Sequence, residues 1–412
     1  MITADMLPAL DDVIGNIPLP PICKVPLQSQ GVLLDIVHVI GGQYVVEGEL
    51  LASSSTSSHK VYAPISGKVK NRQMIKTIDN NYNETLIIEL EGKLNISGMG
   101  SHPHSWEEIT RRTLHERMKK SGILENKHFP APNSVKNTLQ YVLINACERE
   151  SFLCVERKLI NSVTEKVMEG IAMLQRVYPK IDIIICVDDR DKKAIRAVMQ
   201  LLQSHKRSWR VYILHQKSGF FYINDEILTD LVLKGAFGAS RVLDASEILA
   251  IYESVVLGKP IIDRIVAVGG SAIKNPRYLK ARMGVPIAQL IHECGGFVRI
   301  PQKVIIGGAL TGKTITDLSS PLTFECSTII ALLDQHTGHA RESTCIRCGS
   351  CTTVCPVNID PYTLLMLLRR NDTEKANEEG VNICIECGLC AHVCPSRIPL
   401  LSIIKKAKEN HE

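Results

Sequence analysis

Two matched runs of cysteine near the end of the chain constrain its fold more strongly than any other feature. Each run has the spacing C-x2-C-x2-C-x3-C, and a proline follows its last cysteine. The runs consist of Cys345, Cys348, Cys351 and Cys355, and of Cys384, Cys387, Cys390 and Cys394. Eight of the 14 cysteines in this 412-residue chain therefore lie in one short segment, which predicts a domain organised around bound metal.

Bacterial proteins that hold two four-iron four-sulfur clusters use this spacing. Three closely spaced thiolates bind three irons of one cubane, and the fourth cysteine of the run ligates the other cluster. The predicted ligands are Cys345, Cys348, Cys351 and Cys394 for the first cluster, and Cys384, Cys387, Cys390 and Cys355 for the second. The alternatives are two zinc sites or structural thiols, but zinc sites normally take their ligands in two pairs. The runs therefore predict a protein that moves electrons.

The sequence around the runs predicts helices. Pro361 to Arg370 places apolar residues at helical spacing, Asp372 to Glu378 begins a second helix, and a third lies nearer the C-terminus. Gly349 and Gly388 follow the second cysteine of each run, where glycine lets the backbone approach sulfide closely. Residues 326–412 are therefore predicted to form an α-helical ferredoxin-like domain with two [4Fe-4S] clusters.

Composition excludes several classes of protein. The net charge is +5 without a block of clustered lysine and arginine, so we expect no nucleic-acid partner. Met1 to Asp12 lacks the regions of a signal peptide, and no stretch reaches the ~18 apolar residues of a membrane span. We expect a soluble protein, at most peripheral to a membrane, in a reducing compartment. Small buried hydrophobic positions are the simplest expectation for Cys23, Cys154, Cys186, Cys294 and Cys326.

The chain before residue 250 predicts two further domains. Residues 24–92 show short strands separated by polar turns, as in Val61 to Val69, and resemble a barrel-sandwich hybrid. Biotinyl and lipoyl domains of that fold carry a lysine between methionines, whereas Lys60 stands alone, so residues 1–100 are expected to be a docking domain. Strands and helices then alternate, which predicts a parallel Rossmann-like sheet within residues 101–250.

The pattern of residues 251–325 predicts a small α+β unit. This unit contains a sequence that matches the pattern of a phosphate-binding loop. A strand at Arg264 to Val268 precedes a helix that ends at Gly295-Gly296. Gly307 to Thr314 (GGALTGKT) matches the pattern G-x-x-x-x-G-K-[ST], which raises the hypothesis of a nucleotide triphosphatase. A phosphate-binding loop opens directly into a helix, whereas Ile315 to Ser320 is polar and β-branched, so the context argues against this hypothesis.

Taken in order, these segments resemble the C subunit of the Rnf electron transport complex. The resemblance rests on the stretches VPLQSQG, GGQYVVEGELLA and VYAPISGKV near the N-terminus, INACERESFL and VDDRDKKAI in the core, GKPIIDRIVAVGG, GVPIAQLIHECGG and KVIIGGALTG after it, and CIRCGSCTTVCP and CIECGLCAHVCPSRIPL at the cysteine runs. The family implies a multidomain α/β fold. Its parts are a barrel-sandwich hybrid, a Rossmann-like core shared with the flavoprotein of respiratory complex I, a β-grasp (SLBB) domain and the cluster domain.

The same resemblance implies a function. Family members are electron-transfer subunits of a membrane-associated, ion-translocating oxidoreductase that links NAD and ferredoxin. Their core binds FMN and accepts hydride from NADH, and a flavin converts two-electron hydride into one-electron steps. The implied partners are membrane subunits and a ferredoxin-like B subunit. The implied location is peripheral, at the cytoplasmic face of the bacterial inner membrane.

The flavin site is where the chain departs from the family. The family has a Gly-Gly-Ala-Gly-Phe-Pro-Thr loop, whereas Gly122 to Lys136 reads GILENKHFPAPNSVK. Asn145, Glu148 and Glu150 match the family's acidic motif and are the candidate FMN or NADH contacts. Their alternative role is a charged edge left over after a strand. Two functions stay open: a complete NADH dehydrogenase module, or a relay with a degenerate FMN/NADH site that passes electrons from another donor through clusters alone.

Overall fold

The architecture combines two β parts, a parallel α/β core and a helical C-terminal part. The computed structural model describes residues 10–29, 31–57, 59–92, 106–127, 129–130, 132, 139–150, 155–204, 209–215, 222–234, 239–333 and 342–409. Over these residues the mixed α/β fold predicted from the sequence is confirmed.

The N-terminal β part consists of antiparallel sheets around one core. The larger sheet has the order Ile22–Pro26, Tyr82–Leu90, Gly67–Lys76 and Tyr44–Val45. The smaller sheets are Ile36–Val37, Leu50–Ser53 and Lys60–Tyr62, and the ribbon Gln28–Ser29 with Val32–Leu33. Cys23 and Val25 point inward from alternate positions of the first strand and pack with Leu51, Leu86 and Ile88. Side chains of both sheets therefore share one core, as in a sandwich.

The core contains a four-stranded parallel sheet, as the alternation of strands and helices predicts. Its order is Arg210–Leu214, Asp182–Asp188, Tyr141–Asn145 and Ser240–Asp244. The helices are Arg111–Lys119, Ile123–Asn126, Val155–Ser162, Thr164–Val177, Lys192–Ser204, Asp225–Leu233 and Ala245–Val256, with a 3-10 turn at Trp106–Glu108. Apolar clusters lie on both faces of the sheet, which explains why its central strands are almost continuously hydrophobic.

The third part is a six-stranded mixed sheet built from strands that lie far apart along the chain. Its order is Asp11–Asn16, Arg277–Arg282, Asp263–Gly269, Thr328–Leu332, Lys303–Ile306 and Lys313–Ile315, with the helix Ile287–Glu293 beside it. The first strand comes from within residues 1–100 and the fourth from beyond residue 325. Local sequence patterns carry no record of such pairing, because the partners are far apart along the chain.

The C-terminal part is helical, as predicted. Its helices are Ser350–Thr353, Pro361–Arg369, Thr373–Glu378, Leu389–His392 and Leu400–Glu409, with a 3-10 turn at Val381–Ile383. No helix within the described ranges is long and apolar enough to cross a membrane. Burial is confirmed for the cysteines outside the runs at positions 23, 186, 294 and 326. Cys147 is buried as well, and Cys154 lies outside the described residues.

Close packing of two core helices predicts the effect of one substitution. A Cβ added to Gly170 would lie 2.8 Å from both the carbonyl oxygen and Cγ2 of Ile248 on Ala245–Val256. We expect Gly170→Ala to destabilise the protein, because overpacking costs about 1–3 kcal/mol and exceeds the roughly 1 kcal/mol gained in helix propensity. Urea unfolding followed by circular dichroism measures the change. Glu169→Ala, at an exposed position of the same helix, is the control, and an equal midpoint for both variants would contradict the packing argument.

Candidate functional site

The two cysteine runs have the same backbone conformation, and each cysteine of the first recurs 39 positions later. Left-handed backbone occurs at matching places: φ is 54–56° at Arg347, Asn358, Glu386 and Arg397, and 74° at Gly349 and Gly388. A short helix follows each glycine and a longer one each Cys-Pro, in the pairs Ser350–Thr353 with Leu389–His392 and Pro361–Arg369 with Leu400–Glu409. The runs are thus two copies of one unit whose turns suit anionic sulfur.

The cysteines predicted to bind the first cluster line a single cavity of about 280 Å³. They are Cys345, Cys348 and Cys351 from the first run and Cys394 from the second. Tyr362, Leu365 and Ile398 supply apolar wall. In the part of the chain that is described, no three His, Cys, Asp or Glu side chains are grouped to hold a single metal ion. Thiolates spread around a cavity instead fit a cubane, because each of its irons takes one cysteine.

The cysteines predicted to bind the second cluster also lie together. Burial raises the pKa of Cys390 to about 12, and the nearby Cys387, Cys384 and Cys355 contribute to the rise. Burial raises the pKa of Cys387 to about 11, with the same two neighbours, Cys384 and Cys355, adding to it. Four such thiols would repel one another as bare thiolates, whereas cationic irons stabilise the deprotonated form. Both cysteine sets therefore fit four-iron clusters.

The two sets differ in exposure. Cys348 of the first set is exposed, whereas Cys387, its counterpart in the second, is buried. The glycines that follow these cysteines differ in the same sense. A Cβ on Gly388 would lie 3.0 Å from the carbonyl oxygen of Leu310, whereas one on Gly349 would meet nothing within 4 Å. The first set is therefore open to solvent at Cys348, whereas the turn at Cys387 and Gly388 faces the rest of the protein.

Asn145, a candidate flavin or NADH contact, is engaged within the protein. It ends the first parallel strand, and its Nδ2 donates to Oδ1 of Asp244 over 2.8 Å. The Arg149 guanidinium binds the same carboxylate at 2.6 Å and that of Asp225 at 2.7 Å. Burial alone would raise the pKa of Asp244, but the Arg149 charge and the hydrogen bonds from Arg149 and Asn145 lower it. The end of this strand therefore carries an ion-pair network.

Open parallel sheets bind nucleotides at the carboxyl edge, where the strand order reverses. Here that point lies between the strands that end at Asn145 and Asp244. Lys127, from the stretch that replaces the family's glycine loop, lies 3.4 Å from Asp225 and 3.5 Å from Glu247. Carboxylates at this edge at least balance the cations, so a phosphate group would gain little attraction. Among the described residues, the cations Arg149 and Lys127 at this edge are therefore already paired with carboxylates.

Glu148 is buried and bound by two arginines. Arg157 approaches its carboxylate to 2.8 Å and Arg190 to 3.1 Å. Arg190 also binds Asp188, at the end of the neighbouring strand, at 2.7 Å. Burial raises the pKa of Glu148, and the two arginines offset part of the rise. Glu148 therefore ties the end of the first parallel strand to the second.

Glu150 is held by the loop that matches a phosphate-binding pattern. This loop joins Lys303–Ile306 to Lys313–Ile315 in an antiparallel hairpin, so it opens into a strand rather than a helix. The backbone N–H of Leu310 and of Thr311 (3.3 Å) and the hydroxyl of Thr311 (2.7 Å) donate to the Glu150 carboxylate. The nucleotide triphosphatase hypothesis is therefore wrong, because the loop donors bind a carboxylate of the same protein.

Several residues at these sites were not recognised from the sequence. Arg149 and Lys127 form the ion pairs at the sheet edge, and Tyr222 pairs with Glu150 through an isolated antiparallel bridge. Glycine is needed at position 308, because a Cβ there would overlap the Glu150 carboxylate. The sequence alone does not reveal this need, because it does not show that the hairpin faces Glu150.

Comparison with family models matches three parts of the chain. Residues 121–245 match the Nuo51 FMN-binding domain, residues 265–317 the NQRA C-terminal domain, and residues 338–398 a 4Fe-4S dicluster domain. These matches agree with the flavoprotein-type core, the SLBB domain and the cluster domain expected from the sequence. They confirm that the C-terminal part is of a kind that carries iron–sulfur clusters.

Curated relatives match over most of the chain. The C subunit of the Na(+)-translocating ferredoxin:NAD(+) oxidoreductase complex of Acetobacterium woodii is 30% identical over 330 residues, which cover 77% of this chain and 74% of that one. The C subunit of the proton-translocating complex of Clostridium ljungdahlii is 26% identical, covering 82% and 76%. The C subunit of the ion-translocating oxidoreductase complex of Rhodobacter capsulatus is 26% identical, covering 96% and 79%. Among solved structures, a chain of an NAD+-reducing [NiFe]-hydrogenase matches at a TM-score of 0.49 with 12% identity, covering 74% of this chain and 62% of that one.

Two buried carboxylates at this edge predict how stability depends on pH. Burial and the neighbouring Asp244 charge raise the pKa of Glu156 and of Glu247 to about 7. The folded state thus binds these protons more tightly than the unfolded chain, whose glutamates titrate near about 4.3. Their contribution to stability is complete below that value and is lost as the pH rises through about 7.

We therefore expect the melting temperature to fall between about pH 5 and pH 8, and to fall less in Glu156→Gln and Glu247→Gln. Differential scanning fluorimetry across this range measures the slope. Glu169→Gln, at an exposed position, is the matched control and should keep the parent slope. Equal slopes in all four proteins would show that these two carboxylates do not have raised pKa values.

Proposed function

Because the chain belongs to the family formed by the C subunits of ion-translocating ferredoxin:NAD(+) oxidoreductase (Rnf) complexes, we propose that it is the electron-transfer subunit of such a complex and carries electrons through two [4Fe-4S] clusters. The observation that carries the proposal is the cavity lined by Cys345, Cys348 and Cys351 of the first run together with Cys394 of the second. The chain is accordingly an oxidoreductase and translocase subunit.

The proposed ligands are those named from the spacing. Cys345, Cys348, Cys351 and Cys394 would hold the first cluster, and Cys384, Cys387, Cys390 and Cys355 the second. When bound, such clusters accept and release one electron at a time. The protein's own part is to supply thiolates, to turn backbone N–H groups toward sulfur, and to control solvent access, which together tune the potential.

We propose the relay form of this function, in which electrons reach the clusters from a protein donor. The paired charges at the sheet edge support it, since Arg149 and Lys127 are already bound by Asp225, Asp244 and Glu247. The complete NADH dehydrogenase module is the second candidate, and the match of residues 121–245 to an FMN-binding domain favours it. NADH and FMN are ligands in that second candidate alone.

The relatives' names make this chain one component of a complex of several proteins. We propose that its partners are the membrane subunits and a ferredoxin-like B subunit, and that it lies peripherally at the cytoplasmic face of the bacterial inner membrane. The division into residues 1–100, 101–250, 251–325 and 326–412 is kept as a proposal. The six-stranded sheet of the third segment also contains the strand Asp11–Asn16 from the first segment and Thr328–Leu332 from the last.

Reduction of the clusters distinguishes the two candidates. The protein is purified without oxygen, its cluster absorbance is recorded, and NADH and then dithionite are added. The relay form predicts bleaching by dithionite and none by NADH, and extraction should release no flavin. Bleaching by NADH would establish the complete module instead. If the protein holds no iron after anaerobic reconstitution, both candidate functions are wrong. Cys387→Ser is the control: it should lose one cluster and part of the absorbance.

A further inference from the structure

The Glu150 carboxylate is buried where it meets the Gly307–Gly312 loop. Its side chain is 7% exposed, and it accepts hydrogen bonds from the backbone of Leu310 and from both donors of Thr311. Hydrogen bonds to a carboxylate are stronger than those between neutral groups. Glu150 therefore anchors this loop to the end of the first parallel strand.

Glycine at position 308 is a requirement of this contact. A Cβ on Gly308 would overlap the Glu150 carboxylate, so a side chain at this position would force the loop and Glu150 apart. The loop also closes tightly on itself, since the N–H of Gly312 donates to the carbonyl of Gly308 at 2.9 Å. A displacement at Gly308 is therefore transmitted along the loop.

The other side of the same loop touches the turn of the second cysteine set. The Leu310 carbonyl lies against Gly388, and a Cβ on that glycine would come within 3.0 Å of its oxygen. Gly388 directly follows Cys387, one of the proposed ligands. Its counterpart Gly349 has nothing within 4 Å of the same position, although both glycines have a φ of 74°. The loop therefore touches one of two otherwise matched cluster turns.

Tyr222 holds Glu150 from a second side. It forms an antiparallel bridge with Glu150, and the N–H of Ile223 donates to the Arg149 carbonyl at 2.8 Å. The backbone of Glu150 is therefore fixed independently of the loop that binds its carboxylate.

We propose that Glu150 is a positioning residue that holds the Gly307–Gly312 loop over the second cluster, and thereby keeps the reduction potential of that cluster below the value it would have in contact with water. The proposal rests on the two clusters of the proposed function and adds an unequal role for them. In this role Glu150, which matches the family's acidic motif, contacts neither flavin nor NADH.

The physical reason concerns the charge of the reduced cluster. Reduction adds one negative charge, and water stabilises that charge better than a protein interior does. A loop that excludes water from the second cluster therefore disfavours its reduction, whereas the surface cluster near Cys348 has no such cover among the described residues. Loosening the loop should raise the potential of the second cluster and leave the first unchanged.

The test is a redox titration of the reconstituted holoprotein, followed by electron paramagnetic resonance. The signal that disappears in Cys387→Ser identifies the second cluster. Glu150→Gln and Gly308→Ala loosen the same contact from opposite sides, and Gly308→Ala leaves the carboxylate charge in place. We expect both variants to raise the midpoint of the second cluster while that of the first stays at its parent value.

Gly388→Ala and Gly349→Ala form a matched pair, because both introduce the same left-handed strain. We expect Gly388→Ala to shift the second cluster, and any effect of Gly349→Ala to stay with the first. A shift in Glu150→Gln without one in Gly308→Ala would mean that the carboxylate acts by its charge alone, which overturns the positioning role. Equal shifts of both clusters would also overturn it. A parent protein without clusters would instead overturn the proposed function itself.

Discussion

A buried carboxylate joins three parts of this chain. Glu150 follows the first strand of the parallel sheet, receives hydrogen bonds from a hairpin of the six-stranded sheet, and through that hairpin reaches the second cysteine set. An unpaired buried carboxylate would be costly, so the hairpin donors and Glu150 require one another. Through this contact the core, the six-stranded sheet and the cluster part meet at one place.

The two cysteine runs are copies of one unit that have acquired different surroundings. Arg347 and Glu386 occupy matching left-handed positions, but Glu386 is bound by Lys405 at 3.1 Å and Lys408 at 3.0 Å. The second copy is buried against the hairpin, whereas Cys348 of the first is exposed. Symmetric spacing in the sequence thus gives an asymmetric pair of sites, with one facing inward and one facing outward.

The sequence was sufficient for features that depend on local spacing. The grouping of Cys355 with the second run and of Cys394 with the first follows from how a cubane is ligated and stays a prediction. In the structure, Cys394 lines one cavity with Cys345, Cys348 and Cys351. The parallel sheet could also be predicted from the sequence, because buried strands and amphipathic helices alternate between residues 139 and 256.

Features that depend on distant pairing could not be read in this way. The strands Asp11–Asn16 and Thr328–Leu332 join a sheet centred on the segment between them. The pattern at Gly307 to Thr314 matched a phosphate-binding loop because both structures need small residues and free N–H groups for an anion. The anion bound here is the carboxylate of Glu150, which lies about 160 residues earlier in the chain and so cannot be identified from the local pattern.

In the proposed arrangement each cluster is held by three cysteines of one run and one of the other. Mössbauer and electron paramagnetic resonance spectra of anaerobically reconstituted Cys394→Ser, Cys384→Ser and Cys345→Ser distinguish it from the arrangement in which each run binds its own cluster. We expect Cys394→Ser to alter the same cluster as Cys345→Ser and to leave intact the cluster that Cys384→Ser damages. If Cys394→Ser and Cys384→Ser instead affect the same cluster, each run binds its own cluster and the proposed arrangement is wrong.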